Sequence, residues 1–478
     1  MKEFIFNQLR EVPIQVEKGL HRNQTKFKKR PTFLKLRKAV DDFISGNSEE
    51  RWVVLTGLRG VGKTTVVYQI YDYLRYEQKI DQNSVLYLSV DMLKIIPHAE
   101  LHNFIEIYLK EFHGTSAVEL SKKLFILIDE AHFDPKWDLK IKSFYDRTKN
   151  IFFIITGSSA LSLNLSADSS RRIKKYLMPS LNLSEYLLLK YEPFFQPKNT
   201  STIIRDMIFY GLAKVEEAKN IEKLLKQKLI KLPLPQSKEL DLFLKMGGFG
   251  FSINSDFNSI SQRVLDVLDK VIKEDLPLIK NITTPTQQLA YKILGYLSLK
   301  KPGETSHLKL ATEFGTSPDV VNKLLDALEK AELIVAVKPF TQSSNQKSNS
   351  PWKYYFITPS VHYILYKLAG GQDTSDTIGI LWETAVISVL QRMEKTLINP
   401  KVNIFYDPNQ GGVDFMILDL LQQKSIPIEV GSGDKEFGQL RKSLLRYGSS
   451  HGILITDCEQ IEVVDNIIKI PLVTFLFV

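Results

Sequence analysis

Residues 51–74 read RWVVLTGLRGVGKTTVVYQIYDYL, and the rest of the chain is placed from them. A short apolar strand, Trp52 to Leu55, runs into Gly57-Leu58-Arg59-Gly60-Val61-Gly62-Lys63-Thr64. Val66, Val67, Ile70 and Leu74 then follow at helical spacing. This is G-x-x-x-x-G-K-[ST] between a strand and a helix, the setting that gives the motif its meaning. Glycines let backbone N–H groups close round a phosphate, and the helix N-terminus adds partial positive charge. Lys63 is therefore expected to bridge the β- and γ-phosphates of ATP, with Leu58, Arg59, Val61 and Thr65 completing the cradle and the Thr64 hydroxyl on Mg²⁺.

A second apolar run, Leu124 to Ile128 in KKLFILIDEAHF, ends in Asp129 and Glu130. Acids at the carboxyl end of a buried parallel strand belong beside a bound nucleotide. Asp129 is expected to hold Mg²⁺ through its water shell and Glu130 to polarise an attacking water. A third run, NIFFIITGSSALSL, ends in Thr156, Ser158 and Ser159. Their hydroxyls either sense the γ-phosphate or orient water, or else cap the next helix. In SSRRIKKYLMP, Arg171 and Arg172 either reach a neighbouring subunit's nucleotide or form a solvated basic turn.

Together, LTGLRGVGKTT, FILIDEAH, IITGSSA and MPSLNLSEYLLL resemble, in order, the landmarks of a prokaryotic AAA+ ATPase family. Its members often pair the ATPase with a winged helix and a restriction-endonuclease-like domain. The resemblance implies an α/β chain: a P-loop AAA+ core with a helical lid, a winged helix-turn-helix and a C-terminal α/β nuclease-like domain. It also implies the ATP and Mg roles of Lys63, Thr64, Asp129 and Glu130, and a possible homo-oligomer, because a trans-acting arginine needs a neighbour. The expected divisions are a basic lead-in (1–30), the core (31–190), the lid (191–282), the winged helix (283–368) and the nuclease-like domain (369–478).

The N-terminal region carries RNQTKFKKRPTFLKLRK, residues 22–38, which suits either a nucleic-acid backbone or solvent. Further on, Gly247 and Gly248 are expected to turn the chain between lid helices. Residues 284–340 carry three helical periods, the third opened by Ser317-Pro318-Asp319, and a hairpin follows. Asp319, Asp326 and Glu329 remain on that third helix's outer side and would meet phosphates in a major groove. An interdomain connector, or a weak contact led by Lys338, Lys347 and Lys353 of the hairpin, is the favoured reading.

In the last region, Glu383 on a helix, Asp414 on one strand and Glu429 on the next resemble a nuclease metal site. In active members a lysine two residues after the second acid orients water. Here IPIEVGSGDK, residues 426–435, places Gly431 there, with Lys435 four residues beyond. Gly412 also precedes Val413 where another acid is common. A second metal site at Glu383, Asp414 and Glu429 stays open, while cleavage is disfavoured against binding or assembly.

Composition bounds the rest. The 478 residues are too many for one ordinary core. The formal charge of +9 suits DNA or another polyanionic partner. One cysteine excludes an internal disulfide framework. Charges interrupt every apolar run at the N-terminus and no segment is apolar enough to span a bilayer, so a cytoplasmic protein with no membrane contact is expected. The leading expectation is an ATP-hydrolysing AAA+ protein acting on or with DNA. The alternatives are an ATP-regulated metal-dependent nuclease and a scaffold ATPase that binds only protein.

Overall fold

Four short runs of apolar residues in the first part of the chain have almost no polar face to show to water, so they can pair only inside a doubly covered sheet. The computed structural model describes residues 1–22, 25–96, 99–158, 165–191, 194–280, 282–303, 305–341, 351–397, 401–431 and 437–478. Their contacts fall into two units, Met1–Pro179 and Ser180–Val478.

In the first unit those runs are β1 (Trp52–Thr56), β2 (Val85–Ser89), β3 (Leu124–Asp129) and β4 (Ile151–Thr156), and β5 (Lys174–Leu177), which opens on two exposed lysines, joins them at the edge. They pair in the order β2-β3-β4-β1-β5, all parallel. Every residue of β1, β3 and β4 is buried. One layer of the core joins Trp52, Val54, Ile126, Ile128, Phe153 and Ile155 to Phe104, Tyr108, Trp137 and Phe144 of flanking helices. Each such side chain contributes about 1.5–3 kcal/mol by leaving water. The carboxyl ends of β1, β3 and β4 are thereby fixed side by side, where an open α/β sheet binds its ligand.

The N-terminal helix Lys2–Leu20 buries Ile5, Leu9, Val12, Val16 and Leu20, a stripe at helical spacing. Ile5 and Leu9 belong to the same core layer. The basic stretch that follows is used within the unit. Lys26 pairs with Asp72 at 2.8 Å and Lys29 with Glu77 at 2.9 Å. Both lysine side chains nevertheless remain partly exposed.

The second unit begins with the helix Leu183–Lys190, where Asn182 and Glu185 form a reciprocal capping box. Glu185 also binds Arg392 at 3.0 Å. Gly248 has φ +96°, and a Cβ there would lie 3.1 Å from both Ser360 Oγ and Thr358 Cγ2. Gly248 therefore turns the chain and leaves room for the side chains of Thr358 and Ser360.

Three helices, Thr284–Ser298, His307–Glu313 and Pro318–Lys330, precede β6 (Ile334–Pro339) and its antiparallel partner β7 (Lys353–Phe356). The Ser317 side chain accepts the Val320 N–H and Pro318 opens the third helix, as its sequence predicts. Then come β8 (Val402–Tyr406), β9 (Phe415–Asp419), β10 (Lys424–Val430), β11 (Gly452–Thr456), β12 (Glu462–Val464) and β13 (Ile467–Pro471). They build an eight-stranded sheet in the order β12-β13-β11-β10-β9-β8-β6-β7. β6 pairs in parallel with β8 through Phe405–Lys338 and Tyr406–Pro339.

The expected wing is therefore annexed to the C-terminal sheet, and one edge of its hairpin is spent. Lys338 lies over the Trp352 ring at 4.7 Å, and Lys353 faces Asp414 at 3.9 Å. Lys347 falls outside the described residues. Lys338 stays exposed, while Lys353 is partly buried. On the third helix, Asp326 is neutralised by Lys280 and Lys330, each at 2.9 Å. Glu329 accepts the Ala336 N–H at 3.4 Å. Two of the three acids that seemed to bar this helix from phosphates are thus engaged at home.

Candidate nucleotide site

The loop after β1 turns through positive φ at Gly60 (81°) and Gly62 (98°), conformations that side chains with a Cβ resist. At Gly57 a Cβ would lie 2.2 Å from the backbone oxygen of Met178, so only glycine fits between β1 and the end of β5. The helix Lys63–Asp72 starts directly from this loop, which aims its first N–H groups into the curve. Lys63 is buried and its Nζ donates to the carbonyls of Gly57 (2.7 Å) and Leu58 (3.1 Å). The cation is held inside the loop by carbonyl dipoles, with no carboxylate among these two bonds.

Thr64 Oγ1 donates to Asp129 Oδ2 at 2.6 Å. Asp129 Oδ1 accepts the Thr156 hydroxyl and, at 3.2 Å, the Glu130 N–H. Tyr87 on β2 also donates to Asp129 Oδ2 at 3.3 Å. Burial, and then the Asp129 charge, push the Tyr87 phenol well above its ordinary pKa, so it stays a donor. Thr156 therefore serves the acidic strand end: it bonds Asp129 and lies 3.4 Å from the Glu130 N–H. Of the neighbouring hydroxyls, Ser158 is buried and Ser159 falls outside the described residues. The short helix Ala167–Ser170 is capped by Ser166 instead.

Glu130 has φ +53° and ψ +41°, the left-handed region that a residue with a side chain adopts only under constraint. The constraint is the bonding of its N–H. The turn points its carboxylate at His132, with Oε2 at 3.3 Å from Nδ1. His132 Nε2 is in turn 3.3 Å from Arg59 Nη2 in the phosphate loop. Motif spacing marks Arg59 and Glu130 but carries no signal that a histidine joins them.

Arg30 is a second residue that sequence reasoning missed. It is buried, and its guanidinium donates to the carbonyls of Val61 (2.8 Å) and Pro179 (2.9 Å). In the sequence it is one more cation in a basic run; in the fold it pins the phosphate loop. Arg30→Ala strands two carbonyls, a cost of about 1–3 kcal/mol, and is expected to weaken ATP binding about tenfold. Titration with a fluorescent ATP analogue checks this, and unchanged affinity would contradict it.

Arg171 and Arg172 lie elsewhere. Arg171 pairs with Asp168 at 2.7 Å and Arg172 with Asp146 at 2.9 Å. Lys174 sits opposite Val53 and Leu177 opposite Thr56 in the parallel pair β1–β5. Both arginines thus precede the amino end of that pair, with at least ~10 Å of strand between them and the loop at its carboxyl end. Within one chain they are not brought to Lys63 and Asp129.

Thr64 and Asp129 fit Mg²⁺, which takes few protein oxygens and keeps waters and phosphate oxygens for the rest. No group of three or more His, Cys, Asp or Glu is arranged to hold a metal among the described residues. The three acids of the expected second site are each hydrogen-bonded within the second unit. Glu383 accepts the buried Tyr355 hydroxyl at 2.8 Å. Glu429 Oε2 accepts the Asp414 N–H at 3.1 Å, and Asp414 Oδ2 accepts the Val430 N–H at 2.9 Å. The two strand acids brace each other's backbone, and the nearby cation is Lys353 from β7. Gly431 continues the strand pairing through its N–H to Ile455 O at 3.0 Å, whereas Lys435 falls outside the described residues.

With this geometry in place, comparison with known proteins assigns the family. Residues 49–187 match the family model described as AAA domain. The chain is 30% identical over 476 residues to the uncharacterized protein MJ1637 of Methanocaldococcus jannaschii, covering all of this chain and 94% of that one. A second M. jannaschii protein, uncharacterized MJ1544, is 26% identical over 318 residues, 64% of this chain and 60% of its own length. Among solved structures, the ORC1 protein of Aeropyrum pernix in complex with DNA is similar at 9% identity and TM-score 0.31, over 73% of this chain and 95% of that one. RuvB of Thermotoga maritima is similar at 12% identity and TM-score 0.28, over 73% and 97%. Scores this low say nothing of what the present chain acts on. No helix among the described residues is long and apolar enough to cross a membrane. The chain belongs to the same family as M. jannaschii MJ1637, and within it residues 49–187 are similar to an AAA domain.

Proposed function

We propose that this protein binds ATP with Mg²⁺ and hydrolyses it, and that the second unit turns the nucleotide state into engagement of DNA. The observation that carries the first part is the Thr64–Asp129 bond beside the constrained turn at Glu130. A hydroxyl and a carboxylate suited to Mg²⁺ sit next to a second carboxylate held off the strand. When bound, Mg²⁺ supplies neutralisation of phosphate charge. Lys63 leaves the loop carbonyls for phosphate oxygens, the loop N–H groups orient the triphosphate, and Glu130 accepts hydrogen bonding from the attacking water. Arg171 and Arg172, remote from their own site, act on the site of a neighbouring copy in a homo-oligomer.

For the second unit we keep the divisions 191–282 as lid, 283–368 as winged helix and 369–478 as nuclease-like domain, used for holding rather than cutting. The net charge of +9 supports a polyanion as partner. The mutual bracing of Asp414 and Glu429 supports binding over cleavage. DNA is expected to raise the ATPase rate, and raising salt from about 50 to about 200 mM is expected to abolish the stimulation. Indifference to every DNA tested would point to a protein partner. Supercoiled plasmid with Mg²⁺ or Mn²⁺ is expected to stay intact; cutting that disappears in Asp414→Ala and Glu429→Ala would establish the nuclease instead.

A further inference from the structure

Tyr87 has no place in a phosphate-loop motif, yet its hydroxyl reaches the acid that faces the metal. In the parallel pair of β2 and β3, Tyr87 sits beside Leu127 and Ser89 beside Asp129. Side chains two positions apart share a face of the sheet, so Tyr87 and Asp129 lie on one side of it. The phenol spans that step and donates to Asp129 Oδ2 at 3.3 Å. Thr64 Oγ1 donates to the same oxygen at 2.6 Å. Tyr68, one helical turn after Thr64, meets the Tyr87 ring edge to face with centroids 5.1 Å apart. Gln15 of the N-terminal helix donates to the Tyr68 hydroxyl at 2.8 Å, and a Cβ at Gly19 would lie 2.5 Å from Tyr68 Cε2. Tyr87, 2% exposed, is thus fixed between its own strand and the helix that starts at Lys63.

Asp129 has two tasks in such a site. It must bring negative charge near Mg²⁺, and it must take the Thr64 proton so that a lone pair of that hydroxyl is left for the ion. Both depend on where Oδ2 points. Oδ1 is held by the Thr156 hydroxyl and the Glu130 N–H. A carboxylate gripped at one oxygen alone still swings, whereas a donor at each oxygen fixes its plane. Of the two donors on Oδ2, Thr64 belongs to the loop's helix and is to be shared with the ion, while Tyr87 belongs to the sheet itself. Resting on the reading that this site binds ATP with Mg²⁺, we propose that Tyr87 is a positioning residue: through Asp129 Oδ2 it sets the orientation of the metal-facing carboxylate, and so the strength with which Mg²⁺ couples to nucleotide binding. Outer-shell partners of this kind are worth about 10–100-fold in metal affinity.

The test measures binding of a fluorescent ATP analogue in Mg²⁺ and in EDTA, and phosphate release against Mg²⁺ concentration. Tyr87→Phe keeps the ring against Tyr68 and removes the donor. The gain in nucleotide affinity on adding Mg²⁺ is expected to shrink about tenfold and half-saturating Mg²⁺ to rise about tenfold, with affinity in EDTA within about twofold. Tyr108→Phe removes another buried hydroxyl of this unit, one that donates to the Asn83 carbonyl, and its Mg²⁺ dependence is expected to match the wild type. Loss of a merely structural hydroxyl would lower affinity equally in Mg²⁺ and EDTA or would move neither, and either result overturns the inference. So does an equal rise in half-saturating Mg²⁺ in Tyr108→Phe. Should Tyr87→Phe fail to fold, judged by thermal melting, para-aminophenylalanine and para-fluorophenylalanine at position 87 decide. Both fill the volume of tyrosine, but only the amine donates. The amine alone is expected to keep the wild-type Mg²⁺ dependence, and equal behaviour of the two overturns the inference. The wild type separates the two levels. If Mg²⁺ leaves its nucleotide affinity unchanged, the metal reading fails and the inference falls with it; if Mg²⁺ tightens its binding and Tyr87→Phe matches it, only the inference falls.

Discussion

Glu130→Gln is expected to lower ATP turnover by about two to four orders of magnitude while leaving ATP binding intact. The carboxamide keeps the size of the carboxylate, so the left-handed turn has no reason to relax. What disappears is the negative charge that draws hydrogen-bond density from the attacking water. Asp129, Thr64 and Lys63 keep their places, so nucleotide affinity should move by less than a factor of about three, under about 0.7 kcal/mol. Phosphate release and nucleotide titration, measured on one preparation, check both halves. A rate within threefold of the wild type would contradict the assignment of Glu130.

Asp407→Ala is expected to be the most damaging single change to the second unit. Asp407 has a fully buried side chain that accepts from Arg446 Nη1 (2.6 Å), Ser443 Oγ (2.8 Å) and Tyr447 OH (2.8 Å). It also accepts the backbone N–H of Asn409 at 3.1 Å and its side-chain amide at 2.7 Å. One carboxylate thereby anchors the helix Gly438–Tyr447 to the loop after β8. Truncation leaves a guanidinium and two hydroxyls facing a void, a loss of about 3 kcal/mol in a denaturant titration.

The same group gives a pH dependence. Burial alone would raise the Asp407 pKa, but the bonds from Asn409, Ser443 and Tyr447 prevail and hold it below the ordinary aspartate range. A carboxylate depressed on folding contributes stability that is complete above its unfolded pKa, about 3.9, and is lost as pH falls through the lower folded value. The gap between wild type and Asp407→Ala should therefore be constant from pH 7 to about pH 5 and narrow below about pH 4. A gap that widens on acidification would contradict this.

How much of this could be read before folding varies with range along the chain. The phosphate loop, the acids at 129–130 and the strand runs are local patterns, and each residue's task is set by neighbours within a few positions. Glu130, His132 and Arg59 meet because β1 and β3 are separated only by β4 in the sheet, and no local spacing encodes a contact between residues 73 positions apart. Arg30 is indistinguishable in sequence from Lys28 and Lys29, and only the burial of the Val61 carbonyl gives it a separate use. Similarly, Lys353 reads as a hairpin cation until β6 pairs with β8 and β7 brings it to Asp414. The lysine missing at position 431 prompts a search along the strand, whereas the cation beside the acids arrives from another strand altogether.

Phosphate release from ATP by the intact chain and by Lys63→Ala tests the central claim most directly. The wild type is predicted to release phosphate in the presence of Mg²⁺, and Lys63→Ala to fall to the background of ATP in buffer, because the loop then lacks the cation that its Gly57 and Leu58 carbonyls hold. Equal release by the two proteins would contradict the claim that this loop is where ATP is bound and cleaved.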